Sequence, residues 1–360
     1  MRHKIDKELK KQEKRYYRRE YNFLDSGKMF LNVLLYPLIV SFIFSFIIIV
    51  GTYLSGHTIE DVTNSWIYVF FTLILTQATF FITFVLYNKR YKINVWKAAK
   101  INKQVSPWGI LIVIAMSVAC LFLLAPFINL LNHLYSLMGY NPNGDLPYTL
   151  NNFWQFLYVS ITTALIPAIV EELLMRGVVF QGCLKKWKPI TAIVMGAVMF
   201  MLMHGALQQT VYQFILGIIL CYLMYAGGNI IYPMIFHFIN NFSVVLVSYI
   251  SNVRGGASEA VSFSKPLDYI MPIVYLIITA GVVVGLCFLF RYVMKKKKVV
   301  ETEEVRPEML EMIDQGVDET TVAQLQKSQQ NLESKQKVYF WVSIAVGCLL
   351  WLINTISEII

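Results

Sequence analysis

Charge is what this 360-residue chain has least of: Asp, Glu, Lys and Arg make up 15% of it, against 57% hydrophobic residues and a mean hydropathy of +0.56. A water-soluble domain of this length rarely carries so little charge, so the composition excludes an ordinary soluble enzyme and leaves a polytopic membrane protein. Cysteines number five and lack C-x-x-C spacing, which excludes a thioredoxin-like motif and a cysteine-rich zinc module. Cys120, Cys183, Cys221, Cys287 and Cys348 fall in or beside apolar stretches, where buried free thiols are expected. There is no H-E-x-x-H, the most specific sequence sign of a catalytic zinc, and no repeat of 20 to 50 residues. The net charge of +9 comes without a stripe of base-stacking aromatics, so nucleic acid is not an expected partner.

Long apolar runs are what the chain does have. A bilayer core of about 30 Å takes about 20 mostly apolar residues per helix. Nine segments qualify, at approximately residues 29–54, 65–88, 108–131, 153–184, 189–206, 210–226, 230–250, 269–294 and 338–357. The expected fold is all-α, a polytopic transmembrane helix bundle of eight to nine spans. With the N-terminus in the cytoplasm, residues 1–28, 89–103, 176–188 and 291–337 share that side, and they hold all of the 31 Lys and Arg residues except Arg254 and Lys265. The outer loop "SGHTIEDVTN" has no cation, so the positive-inside rule supports this orientation. Residues 1–28 read as a basic cytoplasmic arm, too long and too charged for a cleaved leader, that could lie along an anionic inner leaflet or simply fix topology. Residues 29–294 read as the bundle, 295–337 as a polar cytoplasmic connector with two short helices, and 338–360 as an additional C-terminal span.

An ionisable side chain deep in hydrocarbon costs at least about 2.5 kcal/mol, so each one needs a reason. Away from the span ends they are Glu171, Glu172, Arg176, His204 and His237, with the amides Asn240 and Asn241 beside them. Glu172 and Arg176 stand four apart on one helical face in the favourable acid-before-base order, and Glu171 is turned by about 100°. Phe200 and His204, and again His237 and Asn241, repeat the four-residue spacing. Pro167 removes a backbone hydrogen bond one turn before the glutamates and is expected to loosen that helix. His57 and His133, in outer loops, carry no expected role, and Gly196, Gly205 and Gly217 are expected to allow close helix contact.

"EELLMR", "FMLMH" and "HFINN" resemble, in order and on separate apolar helices, the EExxxR, FxxxH and HxxxN motifs of the CPBP family, the CaaX protease and bacteriocin-processing (Abi) intramembrane proteases. The resemblance covers approximately residues 150–250. It implies that Glu171, assisted by His204, activates a water, and that His237 and Asn241 polarise the scissile carbonyl and stabilise its oxyanion. A carboxylate without a fixed cation in a low-dielectric cavity suits that base, because it accepts a proton more readily than one held by an arginine. Glu172, held by Arg176, is expected to be a support, with Phe200. No cofactor is expected. A zinc held by Glu171, His204 and His237 stays open as the alternative. The expected partners are the lipid bilayer and a membrane-associated peptide or protein substrate. The expected location is a bacterial plasma membrane, which the Lys, Ile and Asn usage favours. A proton-coupled transporter is the competing reading, since buried carboxylates and histidines also build proton relays. A catalytically silent scaffold or immunity protein on the same fold is another.

Overall fold

The computed structural model describes residues 20–63, 65–93, 95–101, 104–140, 149–254, 263–298 and 319–359. Nine long helices carry the described residues: α1 (Phe23–Ser55), α2 (Trp66–Tyr91), α3 (Pro107–Leu137), α4 (Phe153–Leu184), α5 (Pro189–His204), α6 (Leu207–Gly227), α7 (Ile231–Arg254), α8 (Pro266–Lys298) and α9 (Glu319–Ile359). Among the described residues there is no strand, and eight of these helices are long and apolar enough to cross a membrane. The exception is α5, whose 16 residues span only about 24 Å. The all-α polytopic bundle is therefore as expected.

Helix α1 starts earlier than its hydropathy suggests. Phe23, Asp25, Ser26 and Gly27, within the stretch read as a solvated arm, are helical and buried. Asn22 caps the helix by accepting from the Asp25 amide at 3.1 Å, while the Asp25 carboxylate accepts from the Asn22 amide at 2.8 Å and from the Tyr87 hydroxyl at 2.6 Å. Lys28, the last cation before the apolar run, lies over the rings of Tyr91 and Tyr339 at 5.5 and 5.1 Å, so its charge does not stop the helix from docking. Residues 1–19 lie outside the described residues, as does the first of the two connector helices. The second, expected to run towards the last span, joins it without a break: α9 covers 41 residues from Glu319.

The centre of the bundle is α4. Residues 170–183 are buried without a break, so the second half of this helix is surrounded on every face, which is why it has no polar face of its own beyond Glu171, Glu172, Arg176 and Gln181. It is not a regular helix. Ser160–Leu165 and Leu173–Val179 are wound as π-turns, one before Pro167 and the two glutamates and one after them. The disturbance expected at Pro167 thus takes the form of a widened turn. Pro167 has no N–H for the carbonyl of Thr163 four residues earlier, and the side-chain amide of Asn241 donates to that carbonyl at 3.1 Å.

Helices α5 and α6 form a tight hairpin. A Cβ on Gly196 would stand 2.8 Å from Cys221 Sγ, and one on Gly217 would stand 2.8 Å from Ala197 Cα, so both positions need glycine for close approach. Gly205 serves differently. Its φ of +71° ends α5 in the left-handed region, and a Cβ there would meet nothing within 4 Å. The α6–α7 turn is sunk into the protein: Asn229, Ile230 and Tyr232 are buried, and the Tyr232 hydroxyl accepts from the Ser106 amide at 2.8 Å. By residue count from the membrane edge, His237 would sit shallower than Glu171. In the fold His237 Nε2 lies 4.0 Å from Glu171 Oε2.

Candidate active site

The three motifs meet. Arg176 donates to Glu172 Oε1 at 2.7 Å across one turn of α4, and both side chains are fully buried. His237 Nδ1 lies 2.8 Å from the same oxygen. A carboxylate can only accept, so that nitrogen carries the proton and Nε2 is the atom that faces the site. His204 is set in the same way: its Nδ1 donates to the Phe200 carbonyl at 2.9 Å, one turn back on α5, and its Nε2 faces inward. Both Nε2 atoms stand 4.0 Å from Glu171 Oε2. That oxygen is buried and has no hydrogen-bond partner among the described residues. Glu172 therefore supports more than its own helix, since it fixes the ring of His237.

Phe200 accounts for the aromatic position of its motif. Its ring lies 4.1 Å from the Arg176 guanidinium, and it meets the rings of His204 and His237 edge-on at 4.7 and 5.8 Å. One side chain thus covers the buried cation and wedges both histidines. Asn241 is spent in part on Thr163, as described above. Asn240 faces away from the glutamates and ties three helices: it donates to Ser117 Oγ on α3 at 2.7 Å and accepts from the Tyr212 hydroxyl on α6 at 3.0 Å. It is a packing residue.

The residue missed in the sequence is Gln77. It sits in "LILTQATFF" on α2, far from any motif, and its Nε2 donates to Glu171 Oε1 at 3.2 Å. The signal was available, because an amide in the middle of an apolar span needs a partner as a charged group does.

Exposure at the site is small and uneven. The side chain of His204 is 18% exposed and that of Glu171 9%, against 4% for His237 and 0% for Glu172. Between the site and the cation-rich end of the bundle, residues 170–183 are closed off, whereas Leu165, Ile166 and Ile169 of α4 and residues 203–208 keep exposure on the other side. A cavity of about 300 Å³ at the cation-rich end is lined by Glu20, Tyr21, Ala98, Lys100, Gln181, Leu184 and Lys185, none of them a motif residue.

The donor set of Glu171, His204 and His237 has the chemistry of a zinc site, and its spacing can be tested. Ligands about 2.1 Å from a tetrahedral zinc lie about 3.4 Å from one another. The observed 4.0 Å is wider, and among the described residues no group of three His, Cys, Asp or Glu side chains is arranged to hold a metal. Two hydrogen bonds of about 2.8 Å through a water span such a gap with no movement. The residues as placed do not fit a ligated zinc.

The family model described as type II CAAX prenyl endopeptidase Rce1-like, within the CPBP family, matches residues 153–243. That is about a quarter of the chain, and it takes in all three motifs while leaving out α1, α2, α3, α8 and α9. No curated protein and no solved structure matches the chain. The matched family is a protease family, and the apolar helices make the chain an integral membrane protein.

Proposed function

We propose that this chain, in which residues 153–243 carry a CPBP-family core, is an intramembrane endopeptidase that hydrolyses a peptide bond of a membrane-associated peptide or protein without a metal. One observation carries the reading: a buried carboxylate oxygen, Glu171 Oε2, faces two imidazole nitrogens, each oriented by a hydrogen bond on its far side. This is a place to hold and deprotonate water.

In this mechanism Glu171 Oε2 takes a proton from the attacking water while His204 Nε2 accepts the water's other hydrogen and fixes its direction. The oxygen adds to the scissile carbonyl carbon. The charge moving onto the carbonyl oxygen is met by the N–H of Asn241 that Thr163 does not use and by His237, a role that requires a proton taken from solvent onto Nε2 before the step while Glu172 holds the Nδ1–H. The proton on Glu171 then passes to the leaving amine. No serine or cysteine nucleophile stands in the motifs, and none is required.

We place the cation-rich end in the cytoplasm, by the positive-inside rule, and the protein in a bacterial plasma membrane. The name of the matched family points to prenylated CAAX peptides, and peptide maturation is the other substrate class consistent with the motifs. The test compares the membrane peptides of cells that have the protein, lack it, or carry Glu171→Ala. Peptides cut only in the first are substrates, and an unchanged pattern in all three overturns the reading. Elemental analysis of purified protein before and after chelator checks the metal. Bound zinc lost together with activity would overturn the metal-free mechanism.

A further inference from the structure

Helix α2 lies outside the matched segment, yet it reaches the reacting atoms through Gln77. Its other buried polar side chains are spent nearby: Thr79 donates to Leu75 O at 2.8 Å, Thr83 to Thr79 O at 2.7 Å, and Asn88 is engaged by Phe84 O and the Tyr21 hydroxyl. Gln77 differs. It is 9% exposed, and its amide N–H holds Glu171 Oε1 at 3.2 Å. The orientation of that amide is fixed by chemistry, because the reverse would set a carbonyl against a carboxylate. Its own carbonyl, Oε1, is buried and has no hydrogen-bond partner among the described residues.

We propose that Gln77 joins the base to the substrate, with its N–H fixing Glu171 and its carbonyl accepting a backbone N–H of the peptide being cut. This rests on the endopeptidase reading. A buried acceptor without a donor is a standing cost that a bound ligand with an N–H relieves. An acyl or prenyl chain has no such donor, and an extended peptide has one in every residue. The attacking water is not its partner, because that water belongs on Oε2 beside the histidines, and Gln77 occupies the opposite carboxylate oxygen. The amide, its 3.2 Å hydrogen bond, the carboxylate and the attacking water together put the acceptor no more than about 13 Å from the reacting carbonyl. At about 3.4 Å of chain per residue, the N–H it takes lies within about four residues of the cut bond. Holding Oε1 also leaves Oε2 as the free oxygen, so Gln77 positions the base as it binds the peptide.

The experiment uses the purified full-length protein and the peptide identified by the cell comparison above. That peptide is synthesised in its native form and as a series methylated in turn on each backbone nitrogen within about four residues of the cut. For the wild type, one methylation is expected to raise KM about tenfold, the loss of one buried hydrogen bond. Gln77→Met should show that higher KM on the native peptide, a lower kcat from the loosened Glu171, and no further change on the methylated one. Gln77→Asn, too short to reach both partners, should not restore either. If no methylation raises wild-type KM, or if the same methylation raises KM equally in Gln77→Met, the proposal is overturned. The methylation series on the wild type stands whether or not the variant folds. Glu171→Ala separates the two claims: full activity in that variant ends the Glu171-base mechanism on which the proposal rests, whereas a dead Glu171→Ala with additive methylation effects ends only the role of Gln77.

Discussion

Glu171 and Glu172 are chain neighbours in opposite surroundings, and the difference assigns them different consequences. Glu172 is closed in by Arg176 and His237 with no exposure, whereas Glu171 has one oxygen on Gln77 and the other 4.0 Å from two imidazole nitrogens. Removing one member of a buried ion pair leaves the other charge uncompensated, at a cost of about 3 to 5 kcal/mol. Glu172→Gln is therefore expected to unfold in detergent at a clearly lower temperature than the wild type. Glu171→Gln keeps its amide neighbour and strands no cation, so it should melt within a few degrees of the wild type and still lose all peptide cleavage. Equal melting temperatures for the two variants would contradict the assignment. Phe200 belongs to the same scale. Phe200→Leu preserves an apolar side chain but takes away the ring over Arg176, a desolvated contact worth about 2 kcal/mol. The melting temperature should fall less than for Glu172→Gln. Cleavage should fall too, because both histidine rings lose the same wedge.

At the scale of a helix, the motif spacing was legible because four-residue steps need only a regular turn, and within α5 and α7 the turns are regular. Helix α4 was less legible, since a π-turn shifts every later side chain by a fraction of a turn and has no period of its own in the sequence. Pro167 marked the disturbance without revealing its form. Asn241 shows what the turn requires, donating to the Thr163 carbonyl that a proline four residues on leaves without its helical donor. A double-mutant cycle tests this. Asn241→Ala alone should destabilise by about 1 to 3 kcal/mol, the cost of an unsatisfied buried acceptor. In a Pro167→Ala background the same change should cost less, because the alanine supplies an N–H to the Thr163 carbonyl. Strict additivity in thermal unfolding would show that the two residues do not share that carbonyl. Gln77 was legible as an amide in need of a partner but not as part of this site, because its partner is 94 residues away on another helix.

Across the whole molecule, the matched core is held by helices that the match leaves out. Helices α1 and α9 cross tightly: a Cβ on Gly27 would stand 2.7 Å from the Phe340 backbone nitrogen, and Phe23, Trp187 and Phe340 pack their rings within 5 Å of one another. Farther along, α9 leans on the hairpin that carries His204. Trp351 Nε1 donates to Thr210 Oγ1 at 2.8 Å, and Asn354 Nδ2 donates at 3.1 Å to the carbonyl of Gly205, the residue next to that histidine. The sequence suggested only an extra span here, because hydropathy reports length and not which loop a helix end touches. The contacts make α9 a brace for the α5–α6 turn, and that turn sets the distance between His204 and Glu171. A chain ending at residue 318 should still insert, since the other spans carry their own hydrophobic length, but it should cleave at least about tenfold more slowly than the full chain, the loss of one or more hydrogen bonds to the turn. Residues 319–360 expressed as a separate chain in the same membrane should restore cleavage, because the contacts need proximity and not a covalent link. Restoration should fail when that second chain carries Trp351→Phe with Asn354→Ala. Full activity of the shortened chain alone would mean that α9 is a passenger and that the α5–α6 turn holds its own shape.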